Sequence, residues 1–341
     1  MRAAVIGGDF RSCILASKLV KRGYKVDLFC ADKNLGGFLN GIELWGEELD
    51  LGPQYLDNFD SNDQKLIEEF GEEAKLIDIN FSYSNYINGK LSTDNMALPS
   101  WNLLFNEEDQ MKILLERASL FSEHKNNSCS NLKLHFKNIG GKFLAPYQNK
   151  LCNKFFGLSG DEIDISALSI IPFAGQRQPI LDGQVSKKLK DAHKLFDDTL
   201  AAPKALVTNS LYNFYPKYGY KRMLKAIEKG LRKKGIIIHL DSLVKDIKLV
   251  DDKKQVTFKT KNENLYAFDQ IFFGIDERLV EKTILKTNKL ELATNYIPQH
   301  FIYLECDKGS LGDLNYIFDF DLNHLITRIT DLGYSLKNNN K

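Results

Sequence analysis

The chain has 341 residues, with 46 Lys and Arg against 45 Asp and Glu, a formal net charge of +1. That balance argues against a nucleic-acid binder, which neutralises phosphates with a basic surplus, and against an acidic solubilising tail. At 43% hydrophobic and 27% charged residues the composition is globular and too apolar for disorder. The longest apolar runs, Ile236-Ile237-Ile238 and the Ser- and Pro-interrupted 168–173, fall far short of the ~20 residues that cross a bilayer, so no transmembrane segment is expected. The first six residues do not make a signal peptide, because Gly7-Gly8-Asp9 ends the apolar stretch before an h-region forms. Cys13, Cys30, Cys129, Cys152 and Cys306 form no CxxC pair and the histidines are scattered. They predict reduced thiols in a cytoplasmic protein, with no metal site and no disulfide frame.

In chain order, residues 3–6 form a short continuous apolar run, as expected of a strand buried on both faces of a parallel sheet. Gly7-Gly8 breaks it. From 10 to 21, Ile14, Leu15, Leu19 and Val20 recur at helical spacing, with Lys18, Lys21 and Arg22 near the helix end and Gly23 as its terminator. Residues 24–29 give a second strand, completing a strand–helix–strand unit. Short strands follow at 43–51 and 86–91, the latter turning at Asn88-Gly89. Helical periodicity covers 107–121 and 187–200, and Ser159-Gly160-Asp161-Glu162 reads as a capped helix start. A basic amphipathic helix spans 220–234, followed by strands at 236–240, 244–250, 255–260 and 270–273, with a turn at 251–254. A sheet begun at the N-terminus and resumed after residue 235 predicts an α/β fold, a discontinuous Rossmann-type nucleotide-binding domain with an inserted, mainly helical substrate domain. The expected division is 1–95 with 205–285, against 96–204 with 286–335, and a polar tail at 336–341.

Gly7-Gly8-Asp9-Phe10-Arg11-Ser12 stands at the strand-to-helix turn where a dinucleotide fold places G-x-G-x-x-G. The first glycine is in place, Asp9 occupies the second position and Ser12 the third. A carboxylate ~4 Å from a phosphate charge is opposed by about 4 kcal/mol at an effective dielectric near 20, unless it turns away or is countered by Arg11. The acid expected to hold the ribose at the end of the second strand is replaced by Cys30, with Asp32 two residues on. Cys30 by itself reads as a buried apolar thiol.

Leu35-Gly36-Gly37-Phe38, then Asp50-Leu51-Gly52-Pro53-Gln54-Tyr55, resemble the LGG-x and D-x-G-x-x-Y segments of the flavin-containing amine oxidoreductases, a group that includes protoporphyrinogen oxidase-like proteins and UDP-galactopyranose mutase. The resemblance implies that Gly36, Gly37 and Phe38 pass against FAD, and that Gly52, Pro53, Gln54 and Tyr55 lie beside the flavin. It continues at the Asn88-Gly89 hairpin, at Pro146-Tyr147-Gln148-Asn149-Lys150, similar to a stretch of the mutase-like branch, and at Pro216-Lys217-Tyr218-Gly219-Tyr220 before Met223. Residues 235–247 resemble the strand pair in which the residue at Val244 touches adenine through its backbone. Residues 326–329, with Arg328, resemble the strand that carries an arginine before a last flavin-contacting segment. The chain ends at Lys341, so the resemblance implies a flavin site open on one side.

The resemblance implies FAD as cofactor and a small-molecule substrate, a sugar nucleotide or an amine. Tyr215 is expected to line the cavity and Arg177 or Arg328 to hold an anionic substrate group. Gly7, Gly8, Asp9, Ser12, Cys30 and Asp32 belong to the expected dinucleotide site. Two readings stand at this stage: an FAD-dependent oxidoreductase or sugar-nucleotide mutase-like enzyme of surface-polysaccharide or amine metabolism, and a degenerate relative without FAD that serves as a binding or scaffold subunit.

Overall fold

The computed structural model describes residues 1–51, 55–79, 82–92, 94, 96–123, 129–202, 212–250, 255–260, 264–276, 280–281, 299–307, 310–312 and 314–331. The first stretch of chain forms β1 (Arg2–Ile6), α1 (Phe10–Lys21), β2 (Lys25–Phe29), β3 (Ile42–Leu44), β4 (Glu47–Leu49), β5 (Leu56–Phe59), α2 (Ser61–Glu68) and β6 (Leu76–Asp78). Next come β7 (Tyr83–Ile87), β8 (Lys90–Leu91), α3 (Glu107–Glu123), α4 (Leu132–Phe156), α5 (Gly183–Ala192) and α6 (Lys194–Thr199). The last stretch holds β9 (Tyr212–Pro216), α7 (Tyr220–Lys233), β10 (Ile237–His239), β11 (Val244–Val250), β12 (Gln255–Thr260), β13 (Leu265–Phe268), β14 (Gln270–Phe273), β15 (Tyr316–Asp319) and β16 (Arg328–Thr330). Among the described residues no helix is long and apolar enough to cross a membrane.

Backbone proximity divides the chain into two units, Met1–Asn80 with Asn209–Tyr296 and Ser335–Lys341, and Phe81–Thr208 with Ile297–Tyr334. Residues 81–95, expected with the dinucleotide domain, fall in the second unit because β7 pairs with β15 in parallel and β8 with β7.

The first unit is built on a parallel sheet ordered β10-β2-β1-β14. Ala3, Ala4 and Val5 are wholly buried, which is why their run is continuously apolar. Small side chains on α1, Cys13, Ala16 and Ser17, form its buried face. Beside this sheet lie an antiparallel meander, β11-β12-β13, and a small antiparallel sheet, β5-β9-β6. Phe29 stacks on His239 at 4.4 Å and meets Tyr266 edge-on at 5.1 Å. Under this cluster Asp27, 2% exposed, accepts from His239 Nε2 at 2.9 Å and Arg2 Nε at 3.1 Å. Burial pushes the Asp27 carboxyl up, but those hydrogen bonds outweigh it and hold the group below the usual carboxylate range.

Several sequence expectations are corrected. The strand expected at 43–51 is a hairpin of β3 and β4, folded over Trp45 and Gly46, both with positive φ. The helix expected at 187–200 breaks at His193, whose extended backbone ends α5 and whose ring caps α6. Ser159–Glu162 closes a turn, with Glu162 N donating to Ser159 O, and starts no helix. The turn expected at 251–254 lies outside the described residues, while β13 is a strand that periodicity did not reveal.

The second unit pairs β16-β15-β7-β8 with a helical core around Trp101, Phe136, Leu144 and Phe173. Its longest element, α4, has no forecast in the sequence and is two helices joined at Gly141 (φ 67°, ψ −158°). Neighbouring residues of α3 hold the joint. Glu116 accepts from Lys142 N at 2.8 Å and Phe143 N at 3.4 Å, capping the positive end of the second segment. Arg117, fully buried, donates to Ile139 O at the negative end of the first, and to Thr199 O at 2.9 Å and Gln176 O.

Replacing Arg117 by Met strands those carbonyls and should cost about 2–4 kcal/mol, whereas Glu116→Ala should cost about 1 kcal/mol as a lost cap. Urea unfolding followed by circular dichroism measures both; an Arg117→Met midpoint equal to wild type would remove the guanidinium from this role.

Candidate functional site

The two glycine motifs meet in the first unit. Gly36 N donates to Gly8 O at 2.6 Å, and Asp9 and Gly36 form an isolated parallel bridge. Gly36 has φ 111°, and a side chain there would run into Leu224 of α7, so the approach demands glycine. Gly37 follows at φ 54°, and Phe38 stands 52% exposed beside it. Gly7 anchors the other side, its N–H donating to Phe29 O at 2.9 Å.

Asp9 is the N-cap of α1, with extended backbone. Its Oδ1 accepts from Ser12 N at 2.8 Å and Ser12 Oγ at 2.6 Å, and its Oδ2 from Arg11 Nε at 3.0 Å. The carboxylate is thus turned toward the first turn of the helix, not away from it, and Arg11 pairs with it. Ser12 Oγ lies against the backbone of Gly7 and Gly274, which have no side chain to obstruct it. Cys30 is buried, and its Sγ donates to Asn34 O at 3.4 Å while filling the space beside Gly8. Burial raises its thiol pKa, so it stays neutral. Asp32 is exposed, and its carbonyl accepts from Asp241 N at 2.9 Å. Val244 is 7% exposed at the start of β11, clustered with Ala4, Ile6, Phe29 and Phe268.

Of the second motif, Gly52, Pro53 and Gln54 lie outside the described residues. Its two ends converge on β9. The Tyr215 hydroxyl donates to Asp50 Oδ2 at 2.8 Å, and the Tyr215 ring meets Tyr55 at 5.8 Å and Tyr220 at 5.3 Å. Burial pushes the Asp50 carboxyl up to about 6, against the lowering effect of the Tyr215 hydrogen bond. Burial, then the Asp50 charge, raises the Tyr215 phenol far above its ordinary range. The pair is thus a carboxyl that exchanges protons near neutrality beside a permanently protonated hydroxyl. The family resemblance implied places for Tyr55 and Tyr215 but none for Asp50; its signal was the leading acid of D-x-G-x-x-Y.

The two arginines belong to the second unit. Arg177 is exposed and engaged by Asp197, through its Nε to the carbonyl at 2.6 Å and a 3.3 Å ion pair. Arg328 lies over the Tyr316 ring at 5.5 Å. The same unit holds a cavity of about 270 Å³ with Trp101 and Phe320 in its lining and Asn88, Tyr147, Lys150 and Asp321 among its polar members. One turn beyond Lys150, buried Lys154 pairs with Asp319 at 3.0 Å, and Asp319 accepts from His324 Nδ1 at 2.8 Å.

Residues 5–71 match the family model of the NAD(P)-binding Rossmann-like domain. A 1-hydroxycarotenoid 3,4-desaturase of Flavobacterium sp. (strain P99-3) is 26% identical over 242 residues, 67% of this chain and 43% of that protein. The chain thus aligns with less than half the length of this curated relative. Among solved structures, reduced UDP-galactopyranose mutase superposes with a TM-score of 0.68 at 13% identity, covering 98% of this chain and 70% of that one. A protoporphyrinogen oxidase-like protein of Exiguobacterium sp. 255-15 gives 0.52 at 18% identity, over 83% and 61%. At these identities the likeness is one of fold: the chain has the Rossmann-type α/β architecture expected from the sequence.

The folded state holds the Asp50 proton more tightly than the unfolded chain does. Its contribution to stability is therefore fully favourable below the ordinary carboxylate range and declines as pH rises toward about 6. Asp50→Asn keeps an acceptor for the Tyr215 hydroxyl and should melt higher than wild type at neutral pH, the difference closing in acid. A variant whose melting temperature follows the wild-type pH dependence would contradict this.

Proposed function

We propose that the chain is a flavin-dependent oxidoreductase, and in the finer reading a sugar-nucleotide mutase-like enzyme, that binds FAD along its paired glycine loops and acts on a small molecule. The observation that carries the proposal is the bridge between Asp9 and Gly36, which joins two glycine segments into one backbone-lined seat at the end of β1. Ligands of open α/β sheets bind at the carboxyl ends of such strands. The match of residues 5–71 to a dinucleotide-binding family supports the same seat, and the superposition with the mutase over 98% of the chain supports the finer reading.

The seat brings together backbone at Gly7, Gly8, Gly36 and Gly37, as a dinucleotide requires, and opposes such a ligand in charge at Asp9. A bound flavin supplies two-electron chemistry, accepting or returning a hydride equivalent. The chain's own residues would do the rest. The N-terminus of α1 and the Gly36–Gly37 backbone would hold the phosphates, and Val244 would border the adenine. The Asp50 carboxyl would hold or release a proton, with the Tyr215 hydroxyl donating to its Oδ2, orienting the group and remaining neutral. Arg177 and Arg328 are the proposed holders of an anionic substrate group. Tyr147 and Lys150, on the 270 Å³ cavity, offer a ring face and a cation, which suits a sugar nucleotide better than an amine.

One observation favours the alternative of a scaffold without flavin: the negative charge of Asp9 at the phosphate position. Titration with FAD separates the two readings. A flavin enzyme should quench flavin fluorescence and shift its visible spectrum saturably at one flavin per chain, and the bound flavin should bleach under dithionite; no saturable change at any concentration would leave the scaffold.

A further inference from the structure

We infer that FAD is an exchangeable ligand of this chain and not a resident group, because the chain seats its own carboxylate where the pyrophosphate would bind. The inference rests on the flavin reading above.

The second glycine of a dinucleotide loop exists so that backbone, free of side chain, can approach the pyrophosphate, while the helix N–H groups and dipole meet its charge. Here that position carries Asp9, whose carboxylate already caps the first turn of α1. Oδ1 takes the Ser12 N–H at 2.8 Å and the Ser12 hydroxyl at 2.6 Å. An incoming phosphate must share these donors with the carboxylate and bear its like charge. Arg11 offsets that charge through a 3.0 Å pair, but its side chain is 85% exposed, so the compensation is weak and screened.

The ribose end lacks the usual anchor. Cys30 occupies the end of β2, and its buried, neutral thiol is turned to Asn34 O, so it offers the ribose hydroxyls no carboxylate. The paired glycine segments of the seat are kept and two of its polar anchors are altered, which lowers affinity without abolishing the site.

Asp9→Asn isolates the charge, because Asn caps a helix about as well as Asp. Asp9→Ser provides a second capping variant should the first fold poorly. FAD affinity should rise about tenfold or more in either variant. Riboflavin, which has no pyrophosphate, should bind wild type and variants alike. Wild type should lose FAD on gel filtration, whereas the variants retain more of it. Wild type emerging from the column with one FAD per chain, or variants with unchanged FAD affinity, would overturn the inference while leaving the flavin reading intact. Absence of saturable binding of both FAD and riboflavin to all the proteins would instead overturn the flavin reading itself, and this inference with it.

Discussion

The positive end of α1 is the point around which the first unit is organised. A helix N-terminus directed at the end of a buried parallel strand needs an anion or a cap, since its first N–H groups have no partners within the helix. In this chain Asp9 meets the need from within. The choice propagates outward: Ser12 can stand in place of a glycine because its hydroxyl has Asp9 as partner, and because Gly7 and Gly274 leave room for it. The segment Leu35-Gly36-Gly37-Phe38 is drawn to the same point by the bridge between Gly36 and Asp9, and Leu224 of α7 fills the hollow behind Gly36.

Two partly or wholly buried carboxylates of this unit are treated in opposite ways. Asp27 receives two basic partners, Arg2 and His239, and stays ionised beneath an aromatic cluster. That arrangement is structural, tying β1, β2 and β10 together. Asp50 receives the neutral hydroxyl of Tyr215, so burial dominates and its proton is held to about pH 6. A carboxyl left near neutrality among tyrosines is suited to proton exchange, and a carboxyl held ionised by hydrogen bonds from Arg2 and His239 is suited to a strand junction.

The legible parts of the fold are those whose signals are local. The first thirty residues, α7, β10, β11, β12 and β14 were readable because buried strands are short unbroken apolar runs and α1 ends at basic residues and Gly23. The helix α4 contains Gly140, Gly141 and Pro146, residue types that weaken helical continuity, and its joint is held by Glu116 and Arg117, which belong to another helix. His193 likewise divides a helical pattern by capping with its own ring. At the site, the glycine segments and the charge conflict at Asp9 were evident from the sequence, but not the direction of that carboxylate. The role of Asp50 could not be read, since its partner lies 165 residues away and proton affinity depends on burial.

The departures from a dinucleotide loop at positions 9, 12 and 30 form a mutually supporting set. Asp9 without Ser12 would lose its hydroxyl donor; Ser12 without Asp9 would keep a polar group wedged against two glycines without its carboxylate partner; and Cys30 fits because Gly8 presents no side chain. Accumulated damage would leave holes or unsatisfied groups at such a place, whereas here each substituted side chain has a hydrogen-bond partner and fills a space. Restoring glycine at position 9 alone would remove the cap, free the Ser12 hydroxyl and leave Arg11 without its counter-ion, so the ordinary loop is separated from this one by several concerted changes. The coherence of the set lies in that one carboxylate: Asp9 caps the helix, partners the Ser12 hydroxyl and pairs with Arg11, so the protein itself meets the helix dipole at this turn.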